Sequence, residues 1–187
     1  MPDPSPALSV LSGSLLAAGC GLNPYLPLLV VAVMARYAGR FQPRPAYGFL
    51  GQTWFVVLAG LLFLADIFLD KAFVPGDSLA VPAAERSRRV WVGAFHDLGQ
   101  MVLGPIGGGL LLGSAERVFP PAWPLVAPML GVLLAALVYV GKRAQRRRLV
   151  RQPGSRLGPL GNILFSTLGD LLAVLVCTAG ILLGSSH

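Results

Sequence analysis

The chain has 187 residues, 55% of them hydrophobic and only 12% charged, with a mean hydropathy of +0.69. A soluble domain carries roughly a quarter of its residues as charges, and a bundle this small cannot bury such long apolar runs against one another, so lipid must cover part of them. The net charge of +7 falls in the gaps between those runs without interleaved aromatics, which excludes nucleic acid as a partner and points to orientation and anionic headgroups.

The expected fold is therefore all-α, a polytopic transmembrane helical bundle forming one membrane domain over 1–187. About five hydrophobic segments can be drawn, at 8–37, 47–69, 93–112, 123–140 and 159–183. A helix needs about 20 residues to cross the hydrocarbon core. By that measure the fourth segment is short and the first is too long for one plain span.

The first segment opens with a decoy. Leu15-Leu16-Ala17-Ala18-Gly19-Cys20 looks like a lipoprotein cleavage box, but no Lys or Arg precedes it and the chain stays apolar after Cys20, unlike a processed signal. Further on, Gly19, Gly21, Pro24 and Pro27 fall within nine residues. The prolines remove backbone donors and Asn23 before Pro24 is biased away from helical geometry, so the segment should break or kink at Asn23-Pro24. Freed backbone groups at membrane depth are tolerated only where protein or a wet cavity satisfies them. A simple proline kink is the plain alternative.

The second segment ends with Asp66 and Asp70 one turn apart and Lys71 beside them. Nearby like charges raise one carboxylate pKa, which suits proton exchange, while Lys71 opposes that shift. A solvated helix end is the competing reading for Asp70 and Lys71. The third segment carries His96, Asp97 and Gln100, then Gly104-Pro105-Ile106-Gly107-Gly108-Gly109. Gly93, His96, Gln100, Gly104 and Gly107 recur at helical spacing and share a face for close packing or for a polar space. No Gly-Lys-Ser/Thr follows, so this is not a phosphate loop.

The loop 141–158 holds Lys142, Arg143, Arg146, Arg147, Arg148, Arg151 and Arg156 and no acid, which marks it as cytoplasmic. The stretch with Arg36, Arg40 and Arg44 is basic and acid-free too. Three segments separate these loops, and an odd number puts them on opposite faces. Either the weaker loop breaks the rule or one segment does not cross, and the Gly/Pro-rich third is then the candidate re-entrant element.

In the fifth segment Asn162, Ser166 and Asp170 stand four apart, a polar stripe continued by Ala173 and Cys177. A charge near the bilayer centre costs at least about 2.5–3.5 kcal/mol on insertion scales and needs a partner or a job. The stripe should face the bundle interior, either in a structural hydrogen-bond network or in a site for an ion or solute. Metal is not indicated: His96 and Asp97 are adjacent and point apart, the other histidine is His187, and Cys20 and Cys177 lie in apolar runs as small hydrophobes. No cofactor and no catalytic residue is called.

The run GLNPYLPLL (21–29), then Asp66, Asp70-Lys71 and Asp77, then Pro105 and Gly107, then Asn162, Ser166 and Asp170 occur in an order that resembles the bacterial membrane family known as domain of unknown function 4126. The resemblance spans 21–176 and rests mainly on the first motif. It implies a small polytopic membrane protein without an established activity. An acidic pair is usual in that family where Gly169-Asp170 stands and a Glu where Asp66 stands, and the stretch from Asp77 to Asp97 is longer here. These departures argue against a two-carboxylate mechanism at Asp170.

The function expected from the residues is a transporter- or channel-like protein of the bacterial inner membrane, with an internal polar site for an ion or small solute. Candidate pathway residues are Asn23, Asp66, Asp70, Lys71, His96, Gln100, Asn162, Ser166 and Asp170. The bilayer is the expected partner, its anionic headgroups at the 141–158 loop, and the small size makes a homodimer a reasonable assembly. A non-transporting scaffold or assembly factor is the alternative, and a membrane-embedded metal-dependent enzyme the third.

Overall fold

The structure, a computed structural model, describes the backbone of residues 6–39, 41–72, 83–115, 124–150 and 158–185, with the side chains of 7–39, 41–68, 97–115, 124–145, 164 and 166–183. The described elements are helical, with no strand among them: α1 (Pro6–Leu22), α2 (Tyr25–Val33) continued by a π-helical turn (Met34–Ala38), a 3-10 helix (Pro45–Gly51), α3 (Thr53–Ala72), α4 (Ala83–Ala115), α5 (Val126–Val150) and α6 (Gly158–Ser185). The stretches Asp97–Ala115, Val126–Gln145 and Ser166–Leu183 are each long and apolar enough to cross a membrane. Pro45–Gly51 with Thr53–Phe68, bent by 61°, makes a fourth where the bent pair counts as one span. This is a polytopic helical membrane bundle.

The first segment is two antiparallel helices. Descending α1 from Cys20 to Gly13, its neighbours on α4 rise from Gly104 to Leu112; ascending α2 from Tyr25 to Leu28, they rise from Gly99 to Gly107. The chain therefore reverses at Asn23-Pro24, and both arms lie along α4. At 1.5 Å per residue the arms are about 25 and 21 Å long, from 17 residues in α1 and 9 plus 5 in α2 and its π turn. Both fall short of the roughly 30 Å hydrocarbon core.

The third segment, by contrast, is one helix. α4 continues through Pro105 from Ala83 to Ala115, a proline costing one hydrogen bond to the preceding turn without ending the helix. The expectation of a half-membrane element thus moves from the third segment to the first. The fourth segment also grows: α5 runs on to Val150 through the basic residues, because Lys and Arg are good helix formers and end no helix by themselves.

This settles where the two basic stretches sit. The Arg44 amide donates to the Ser114 carbonyl at one end of α4 (3.1 Å), and Arg143 pairs with Asp97 at the other (3.7 Å). Ser114 and Asp97 are roughly 25 Å apart along the helix. The odd count of helices between the basic stretches stands, and their described residues Arg44 and Arg143 lie at opposite ends of the bundle.

Glycines set how closely α1, α4 and α5 approach. A Cβ on Gly108 would lie 2.6 Å from the Gly131 carbonyl oxygen, and one on Gly131 would meet the Gly108 carbonyl in turn. Such small-residue faces let backbones approach closely where lipid supplies no hydrophobic drive. The outward faces of α3, α5 and α6 carry exposed Leu, Val, Phe and Met, including Leu61, Leu137 and Leu168, as a lipid-facing surface requires.

Two outcomes follow from this packing and topology. Gly131→Ala should destabilise the protein by about 1–3 kcal/mol in detergent unfolding. Gly141→Ala, which meets nothing within 4 Å, should be neutral or slightly stabilising. In vesicles, single cysteines placed at the exposed positions Gln42 and Ala144 should react with an impermeant maleimide from opposite faces; labelling from one face would overturn the arrangement of the ends.

Candidate functional site

The reversal of the chain creates the site. Proline at 24 has no amide to offer, and its φ of −70° and ψ of −29° are already helical, so it serves as the first residue of α2. The amides of Tyr25 and Leu26, left without partners by the helix start, donate to the Asn23 side-chain Oδ1 at 3.0 and 3.1 Å. Asn23 thus caps α2. Its own amide donates to the Gly19 carbonyl at 3.0 Å and closes the last turn of α1.

The other half of the carboxamide points away from the backbone. Asn23 Nδ2 donates to Asp66 Oδ2 of α3 at 3.1 Å and to Asp170 Oδ1 of α6 at 2.9 Å. Ionised carboxylates only accept and backbone amides only donate, so this network fixes which way round the carboxamide lies. Gln100 of α4 donates from Nε2 to the remaining oxygen of Asp66 at 3.1 Å. Lys142 of α5 completes the ring: its Nζ donates to the carbonyl of Leu22, the last residue of α1. A cation at a helix C-terminus is favourable, because the unsatisfied carbonyls there carry partial negative charge.

Burial raises the stakes of these bonds. Asn23 is 1% exposed and Asp66 5%, while Asp170 is half-buried. Lys142 also passes beside Gly169 of α6, where a Cβ would lie 3.8 Å from its Nζ. Just outside, Tyr139 donates its hydroxyl to the Asp97 carbonyl at 3.3 Å and Arg143 pairs with the Asp97 carboxylate. Both partners of that pair are substantially exposed, so it contributes little to stability.

Of the residues singled out in the sequence, Asn23, Asp66, Gln100 and Asp170 converge within hydrogen-bonding distance. Ser166 is half-buried one turn before Asp170 on α6. Asp70 and Lys71 fall on the last turns of α3, His96 on α4 and Asn162 on α6, and their side chains lie outside those described, as do Asp77 and His187. The site residue that the sequence reading placed elsewhere is Lys142, taken for the start of a loop. The signal was available: Ala135 and Val138, which press on Gly21, stand seven and four residues before Lys142 on one helical face.

Chemically, this is two carboxylates from different helices joined through one amide, with a lysine ammonium at the edge. Among the described residues no group of three or more His, Cys, Asp or Glu comes together to hold a metal ion. The arrangement suits the exchange of positive charge or of hydrogen bonds.

Residues 10–80, a stretch that holds Asn23 and Asp66, match the family described as Domain of unknown function (DUF4126). No curated protein matches the chain. No solved structure matches it either.

Removing the carboxamide takes a hydrogen bond from each carboxylate and leaves the first amides of α2 without their cap. Asn23→Ala should therefore cost roughly 2–4 kcal/mol, well above the average membrane hydrogen bond of about 0.6 kcal/mol. Asn23→Asp should be at least as damaging, because it adds a third carboxylate. Unfolding of each variant in detergent, followed by helical circular dichroism, checks both.

Proposed function

We propose that this chain is a transporter- or channel-like protein of a bacterial inner membrane, in which the cluster around Asn23 handles an ion or a small solute. The observation that carries this reading is the sharing of one amide group by Asp66 and Asp170 inside an apolar bundle. Placing an ionisable group in a membrane helix is costly, and two on separate helices compound that cost. A bundle that needed only a lock could use neutral partners. Carboxylates add the capacity to take up positive charge and release it.

The proposed orientation puts the Asp97 end of α4 in the cytoplasm. Lys71, Arg86, Arg88, Arg89 and the 141–158 run belong by sequence to helix ends on that side, against a sparser basic stretch of Arg36, Arg40 and Arg44 on the other. Anionic headgroups are the expected neighbours of the richer end.

A second reading is a scaffold whose polar groups only lock the helices together. It is favoured by the full use of the Asn23 carboxamide, whose oxygen and nitrogen each make two hydrogen bonds. Reconstitution separates the two. Vesicles holding the wild type should dissipate an imposed proton or alkali-cation gradient faster than empty vesicles, and Asp170→Asn should abolish that leak while keeping its helical content. Wild-type vesicles as tight as empty ones under every gradient would sink the transport reading and leave the scaffold.

A further inference from the structure

The α1–α2 hairpin is held differently from the rest of the bundle. Along its flanks it packs through Gly13, Gly19 and Gly21, which face Leu112, Cys177 and the Ala135 carbonyl, and through the buried Leu16, Cys20 and Val31. Its tip is fixed in addition by polar side chains reaching in from elsewhere. Asp66 and Asp170 accept from Asn23, Gln100 steadies Asp66, and Lys142 holds the Leu22 carbonyl. α3, α5 and α6 thus each bond the tip directly, and α4 acts on it through Asp66.

Asn23 has one NH2 group and gives one hydrogen to each carboxylate. Both bonds draw their strength from the negative charge of the acceptor. Positive charge taken up at either aspartate weakens the bond that holds the tip to that helix. The same amide also caps α2, so loosening it frees the start of that helix.

We propose that the α1–α2 hairpin is the gate of this site and that Asn23 is its latch, released when Asp66 or Asp170 is neutralised. The inference rests on the reading of the cluster as a working site and names the element that moves when it is occupied. Occupancy at either carboxylate loosens the tip from α3 or α6, and the two bonds make opening depend on both helices. The opposite end of the hairpin stays anchored, where the Ser12 hydroxyl donates to the Gly180 carbonyl at 2.7 Å.

The chain carries its own reporter. Cys20 is fully buried three residues before Asn23, its sulfur against Gly107 beside Leu28. In the full-length protein with Cys177→Ser, alkylation of Cys20 by N-ethylmaleimide should be slow. Asn23→Ala should speed it at least about tenfold, as loss of two charge-assisted bonds raises the open population. Asp170→Asn should speed it less, and Ser12→Ala at the far end not at all. A separate cysteine at Ala127, buried on α5, monitors the bundle at large. Faster reaction of Cys20 with position 127 still protected supports the gate. Equal acceleration at both positions, or none in Asn23→Ala, overturns it. The reaction needs no gradient, so it reports on the hairpin whether or not the vesicles conduct.

Discussion

A chain that turns back on itself inside an apolar bundle must find partners for the backbone groups at the turn, and here one carboxamide supplies most of them. Asn23 accepts from the amides that open α2 and donates to two acids on α3 and α6. No other side chain does this as well. Aspartate would cap α2 but repel Asp66 and Asp170, serine has a single hydrogen to give, and glutamine lacks the short reach that capping needs. Proline at 24 fits the same logic, because it removes an amide that would otherwise need a partner.

The remaining architecture adjusts to that turn. With α1 and α2 too short to cross alone, their tip ends where α3, α4, α5 and α6 can all reach it. Lys142 does so because α5 continues past the apolar stretch as helix, which lays its aliphatic stem along the bundle and brings the ammonium to the end of α1. Close approach of α1 to α4 and α5 through glycine faces is what keeps these short polar side chains within bonding range.

Much of this was legible in the residues. The break at Asn23-Pro24 followed from two prolines and a residue disfavoured before proline, and Asp66, Gln100 and Asp170 stood out as polar groups in apolar runs. Composition fixes where a helix stops, however, and says little about the direction in which the chain resumes. A kink and a reversal use the same prolines; the choice depends on which neighbours satisfy the tip, and those lie 43 and 147 residues away. The glycine and proline content of the third segment misled for a related reason. Those glycines serve close packing against Cys20, Ala17 and Gly131, and neighbouring helices can tolerate a single proline inside a long helix. Lys142 was hidden by the habit of ending a span at the first charge.

The two ends of the bundle are built from different chemistry, and this bears on how it can move. Among the described residues, the Ser114 end carries short contacts between neutral groups: Ser12 to the Gly180 carbonyl, Ser114 to the Leu111 carbonyl, and the Arg44 amide to the Ser114 carbonyl. These three depend on no ionisation state. At the Asp97 end lie Asp66, Asp170, Lys142, Asp97 and Arg143, and the ties to the hairpin tip from Asp66, Asp170 and Lys142 each involve an ionisable side chain. In the proposed gate, a change in proton or cation occupancy acts first on this end. Displacement of α1 and α2 under such a change is a pivot about the neutral end, which moves the tip most and the residues beside Ser12 least.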